Sequence, residues 1–143
     1  QDIYLNEKNK AKNKNINYEK LPKILGCEIN KEVFDQAELN VSLAGLKNYI
    51  ELINNDFSEL KLNCAPGIII CNPPYGKKLG NENELVFLYQ AIAIFLKTHF
   101  SGWEFWLLSG NPKLTKHLKM KSSLKIPISN GGIDCRWIKY LIR

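Results

Sequence analysis

Ile68-Ile69-Ile70-Cys71-Asn72-Pro73-Pro74-Tyr75 is the stretch from which the rest of the chain is read. Three isoleucines and a cysteine make an unbroken apolar run, which suits a strand buried on both faces in a parallel sheet. The run stops at a carboxamide and two prolines, and proline has no N–H with which to continue a ladder. The strand therefore delivers Asn72 to the carboxyl edge of a sheet. In open α/β sheets ligands bind outside that edge, so a stiff turn carrying one amide and one aromatic ring stands where chemistry is done. The competing reading is a proline-terminated strand with an incidental tyrosine.

The motif resembles the Asn/Asp-Pro-Pro-Tyr signature of S-adenosylmethionine-dependent methyltransferases that modify amino groups conjugated to a planar ring. An exocyclic amine of a nucleobase gives its lone pair to the ring, so it is flat and a weak nucleophile. Two acceptors, the Asn72 side-chain oxygen and the Pro73 carbonyl, suit its two hydrogens and turn the lone pair toward a methyl donor, a catalysis of position and electrostatics. Pro74 stiffens the turn, Tyr75 is placed to stack on a flipped base, and Gly76 lets the chain leave close to the substrate. Stacking on an aromatic ring is worth ~1–3 kcal/mol per base, enough to help offset the unstacking.

Composition sets the frame around this motif. The chain has 143 residues, 45% hydrophobic and 24% charged, the size of one domain with room for a core. A net charge of +6 is compatible with a polyanionic partner, although part of the excess lies in an N-terminal run. Cys27, Cys64, Cys71 and Cys135 show no C-x-x-C spacing, and three sit in apolar runs, which argues for reduced, buried thiols in a cytosolic protein. His99 and His117 have no cysteine or acid at ligand spacing, which argues against a metal site. The apolar stretch from Leu85 to Leu96 is too short to cross a bilayer, and no segment reads as a signal peptide.

Along the chain, strands and helices alternate. Residues 6 to 20 read as a solvated helix or a disordered connection. Ile24 to Ile29 reads as a strand, and Asn30 caps a helix from Lys31 to about Leu46 whose apolar face is Val33, Phe34, Ala37, Val41 and Ala44, with Gly45 at its end. Tyr49 to Ile53 and Gly67 to Cys71 are further strands. A long helix follows, with Leu85, Leu88, Tyr89, Ile92, Phe95 and Leu96 toward the core and Glu82 and Glu84 near its positive end. Trp103 to Leu108 is a strand, Pro112 opens a short helix to about Leu118, and Asn130-Gly131-Gly132 joins two last strands into a hairpin.

This order resembles the α/β, Rossmann-like class I methyltransferase fold from its second strand onward, a mostly parallel sheet ending in an antiparallel hairpin. The resemblance implies that Glu28, with Ile29 beside it, ends the strand whose acid holds the ribose hydroxyls of S-adenosylmethionine. It implies that Asp56 and Phe57 meet the cofactor's adenine, and that Asn72 borders both cofactor and base. It narrows through Gly26-Cys27-Glu28-Ile29-Asn30, Asn54 and Asp56, Asn72-Pro73-Pro74-Tyr75-Gly76, Leu79-Gly80, Leu88-Tyr89, Asn130-Gly131 and Asp134-Cys135 to the THUMP-containing ribosomal RNA guanine-N2 methyltransferases, in particular those acting on large-subunit RNA. Where that family reads Gly-Glu-Arg-Leu-Gly, this chain has Gly76-Lys77-Lys78-Leu79-Gly80, so Lys77 and Lys78 are either RNA-phosphate contacts or a solvated pair.

The family's first strand and Gly-rich cofactor loop have no counterpart in the sequence, which contains no G-x-G. The expected organisation is a polar lead-in over residues 1–23 and the C-terminal part of a methyltransferase domain over 24–143. The absent strand, supplied by the same protein or another chain, is expected to leave an apolar cleft and exposed strand edges. Two function classes follow. One is the catalytic portion of an RNA guanine-N2 methyltransferase, with a DNA adenine-N6 methyltransferase as its variant. The other is a non-catalytic remnant or RNA-binding piece without a cofactor loop.

Overall fold

Residues 2–12, 21–75 and 81–143 are described by the structure, a computed structural model, and they fall into two units, Gln1–Phe57 and Ser58–Arg143. In the first unit, α1 (Asp2–Lys12) covers part of the polar lead-in; residues 13–20 lie outside the described ones. β1 (Ile24–Glu28) and β2 (Ile50–Asn54) pair in parallel, with Glu28 opposite Asn54, and α2 (Lys31–Leu43) joins them. Asn30 starts α2 because its side-chain oxygen accepts from the Val33 N–H at 3.1 Å. Only Phe34 of the expected apolar face is fully buried, with Ala37 and Val41 half-buried. Val33 and Ala44 are exposed, a correction to the reading above, because Val33 sits one position round the helix and Ala44 is already its C-cap.

The second unit contains β3 (Ile68–Cys71), α3 (Glu82–His99), β4 (Glu104–Ser109), α4 (Pro112–Thr115, prolonged by a 3₁₀ turn at Lys116–Leu118), β5 (Ser122–Asn130) and β6 (Ile133–Leu141). Its sheet runs β3-β4-β6-β5, parallel between β3 and β4 and antiparallel thereafter, so the expected terminal hairpin is present. α3 opens with a capping box in which Asn81 and Glu84 satisfy each other's backbone donors. Leu85, Tyr89, Ile92, Ala93 and Leu96 of α3 are buried, as are Phe105 and Leu107 of β4 and Leu118. Each of the large ones contributes about 1.5–3 kcal/mol by leaving water. Leu88 and Phe95, expected beside them, are half-buried.

Two expectations about burial are corrected. β3 is not buried on both faces: it is the edge strand of its sheet, and Ile68 and Ile70 are 61% and 70% exposed. Ile69 and Cys71, which alternate with them, are half-buried, and Cys71 lies near Tyr89 of α3. The thiols are free, but only Cys135 is buried; Cys27 and Cys71 are half-buried and Cys64 is exposed. An apolar run records that its residues can be covered, not that they are.

The β5–β6 turn depends on its glycines. Gly131 and Gly132 have φ of +57° and +80°, the pattern of a type I′ turn, which twists with the strands it joins. A branched side chain is disfavoured in that region. Gly132→Val is expected to cost about 1–2 kcal/mol, whereas Gly131→Asn stays nearly neutral because asparagine tolerates the left-handed region; denaturant midpoints of the two variants check this.

Candidate active site

β3 pairs with β4 from Ile68 opposite Glu104 to Cys71 opposite Leu107. Beyond Cys71 the prolines end the ladder, while β4 continues to Ser109. Residues 72–75 therefore pass beside the end of β4. Asn72 is exposed, Pro73 is buried, and Pro74 and Tyr75 are half-buried.

Tyr75 is held at several points. Its carbonyl accepts from Asn111 Nδ2 at 3.5 Å. The same asparagine caps α4, its Oδ1 accepting from the N–H groups of Lys113 at 3.0 Å and Leu114 at 3.3 Å. Its own N–H donates to Ser109 Oγ at 3.2 Å, and that buried hydroxyl also lies 3.5 Å from the Tyr89 hydroxyl. At the far end of the ring, Tyr75 Oη accepts from Asn130 Nδ2 at 3.0 Å and from Cys135 Sγ at 3.5 Å. The ring edge lies against Gly110: a Cβ there would come within 3.2 Å of Tyr75 Cε2 and 3.1 Å of Cys135 Sγ. A groove of about 660 Å³ adjoins this corner through Gly110 and Cys135, with Lys125, Asp134 and Arg136 along it.

Burial tunes the groups behind the corner. The Cys71 thiol is pushed up to about 11 by desolvation, and the Tyr89 phenol is raised chiefly for the same reason. The Tyr75 phenol is also raised, first by its contact with Cys135, against the opposing donation from Asn130.

In the first unit, Glu28 and Ile29 stand at the carboxyl end of β1, and Asp56 and Phe57 just beyond the carboxyl end of β2. Glu28 Oε1 accepts from the Asn30 N–H at 2.8 Å, which ties the carboxylate to the start of α2. Asn54 braces the same strand end, its Nδ2 donating to the Glu28 carbonyl at 2.8 Å. Gly76, Lys77 and Lys78 lie outside the described residues. The sequence reading attached no role to Asn111. Asn130 entered it in the hairpin turn and Cys135 among the thiols, and both through resemblance, without a role in the site.

Residues 1–139 match the UPF0020 family, described as RMKL-like, methyltransferase domain. The chain belongs to that family. Among curated relatives, the ribosomal RNA large subunit methyltransferase K/L of Saccharophagus degradans is 34% identical over 142 residues, covering 96% of this chain and 19% of that protein. The K/L methyltransferase of Photobacterium profundum is 37% identical over 125 residues, covering 84% and 17%. The chain thus spans about a fifth of the length of these relatives. Of solved structures, SMU.472 in complex with SAH superposes with a TM-score of 0.78 at 21% identity, over 84% of this chain and 32% of that one. TrmN from Thermus thermophilus gives 0.68 at 20% identity, over 85% and 36%. The family and the Rossmann-like class I fold read from the sequence are borne out, as a partial fold about a third of these neighbours' length.

The raised Cys71 thiol has a measurable consequence. Its folded value of about 11 lies above the ordinary 9.0, so the stability it contributes is complete below pH 9 and is lost as pH rises through 11. Iodoacetamide at pH 8 is expected to alkylate the exposed Cys64 quickly and Cys71 slowly, with Cys71 catching up only as pH nears 11; peptide mapping by mass spectrometry checks it.

Proposed function

We propose that this chain belongs to an S-adenosylmethionine-dependent enzyme that methylates the exocyclic N2 amine of a guanine in large-subunit ribosomal RNA. The observation that carries the reading is the corner after β3: an exposed carboxamide at a strand end, beside a tyrosine fixed by both its backbone and its hydroxyl. The names of the relatives support ribosomal RNA as substrate. Guanine, rather than adenine, rests on the resemblance around Asn130-Gly131 and Asp134-Cys135.

The residues at the ends of β1 and β2 suit the cofactor. One Glu28 oxygen is engaged by Asn30, and among the described residues the other has no partner, which leaves capacity for two ribose hydroxyls. Asp56 and Phe57 bring an acid and a ring suited to an adenine's amine and face. Once bound, S-adenosylmethionine supplies a methyl group made electrophilic by its sulfonium.

The remaining chemistry belongs to side chains and backbone. Asn72 Oδ1 and the Pro73 carbonyl accept the two amine hydrogens, which draws the nitrogen out of conjugation and turns its lone pair toward the methyl group. Pro74 keeps the two acceptors in register, and Tyr75 stacks on the flipped base. The residue types at Gly76, Lys77 and Lys78, outside the described residues, suit close approach to a nucleotide and contact with phosphate. Between Glu104 and Asp134 the sequence has five lysines and no acid, and Lys125 and Arg136 border the groove beside the corner, a charge distribution suited to an RNA strand. A ribosomal RNA substrate fits an enzyme of the cytoplasm.

The test uses the full-length protein. Asn72→Ala is expected to lower the methyl-transfer rate by about 10²-fold or more, the scale set by removing one transition-state hydrogen-bonding group, with RNA affinity nearly intact; turnover by this variant at the unmodified rate removes the reading. Glu28→Ala is expected to weaken S-adenosylmethionine binding about tenfold or more in calorimetry, the loss of one or two charge-assisted hydrogen bonds, without altering RNA binding.

A further inference from the structure

We propose that Asn130 and Cys135 are positioning residues: by gripping the Tyr75 hydroxyl they let the β5–β6 hairpin aim the ring on which the base stacks. This deepens the methyl-transfer reading and rests on it.

The argument begins with what a tyrosine after two prolines has left to decide. The turn, with Asn111 on the carbonyl, sets the backbone of Tyr75 but not its χ1 and χ2, and a ring pivoting on those angles sweeps several ångströms at its hydroxyl end. Two donors on Oη close that freedom from the far side, Asn130 Nδ2 at 3.0 Å and Cys135 Sγ at 3.5 Å. The donors are themselves fixed. Asn130 pairs with Ile133 across the Gly131-Gly132 turn and Cys135 pairs with Ile128, so both project from one face of the hairpin, two residues apart along the strands. Cys135 is 3% exposed and has one place to be. Gly110 completes the seat, because a Cβ there would crowd the ring edge at 3.2 Å and Cys135 Sγ at 3.1 Å.

The hydrogen bonds use the hydroxyl, and Tyr75 stays only half-buried, which keeps part of its surface available to a ligand. A phenylalanine has the same π surface for stacking but no atom for Asn130 to hold. In this chain the hydroxyl of Tyr75 therefore serves the protein and not the base. A ring already fixed loses no rotational freedom when a base lies on it, so the tether acts on how productively the base is presented.

The experiment is a double-mutant cycle in the full-length protein, with single-turnover methyl transfer and RNA KM measured for Tyr75→Phe, Asn130→Ala and the double variant. Each single change is expected to slow transfer about 3- to 10-fold, the scale of one hydrogen bond, with RNA KM moving much less. The double variant is expected to be no slower than Tyr75→Phe, because both changes break the same contact. Cys135→Ala is expected to lose part of the rate, and Cys135→Ser, which keeps a donor, to recover it. Additive losses in the double variant, or Tyr75→Phe turning over at the unmodified rate, overturn the proposal. If in addition Asn72→Ala transfers at full rate, the methyl-transfer reading itself falls; if Asn72→Ala is inactive, only the tether does.

Discussion

Because neither Pro73 nor Pro74 has an N–H to donate, β3 stops pairing at Cys71 while its parallel neighbour β4 runs on to Ser109. That difference in strand length is the constraint from which the corner is built. It leaves a step at the carboxyl edge of the sheet, and residues 72–75 cross it alongside Gly110 and Asn111 instead of continuing as a strand. A side chain at a further ladder position would point to one face of the sheet. At the step, Asn72 meets solvent and Tyr75 reaches the tip of an antiparallel hairpin whose strands lie elsewhere in the sequence.

The polar groups around the step work mainly as struts. Ser109 is 4% exposed, yet its hydroxyl lies within reach of Tyr89 and receives the Asn111 N–H. The Asn111 amide uses its oxygen on α4 and its nitrogen on Tyr75, so one side chain fixes a helix start and the motif together. No buried side-chain nitrogen or oxygen among the described residues lacks a partner. Leaving one unpaired costs about 1–3 kcal/mol, so each of these bonds resists local rearrangement of the corner. A reaction that depends on where an amine is held, more than on a strong acid or base, needs a frame of this kind.

Much of this was legible in the sequence, and the limits have physical causes. The proline pair, the capping Asn30 and the two consecutive glycines of the hairpin act locally, so their effects can be read from the sequence: β3 ends, α2 begins and the hairpin turns where expected. What a strand face meets is decided by distant elements. Ile68 and Ile70 are as apolar as Ile69, and nothing local tells which of them is covered. Val33 belongs to the apolar pattern of α2 by type but not by angle. The hold on Tyr75 joins residues 36, 55 and 60 positions away, and such long-range hydrogen bonds leave no periodic trace. Resemblance picked out Asn130 and Cys135 without explaining them; the geometry around Oη explains them.

Under the proposed function, the two working side chains of the motif act on different parts of the free-energy profile. A stacked base is held about equally before and during methyl transfer, so the area of the Tyr75 ring serves binding, a contribution that lowers KM and leaves the barrier almost unchanged. The acceptors at Asn72 and Pro73 gain strength as the amine loses its planarity and its hydrogens become more acidic, so their contribution grows toward the transition state. The hydroxyl tether belongs with the second group although it never meets the amine. By fixing the plane of the base it fixes where the nitrogen lies relative to Asn72, and an error of about 1 Å there is enough to cost about 10²-fold in rate. On this view the hairpin at the end of the sheet acts on kcat through an aromatic ring whose own area acts on KM, and the step left by two prolines is where the two effects meet.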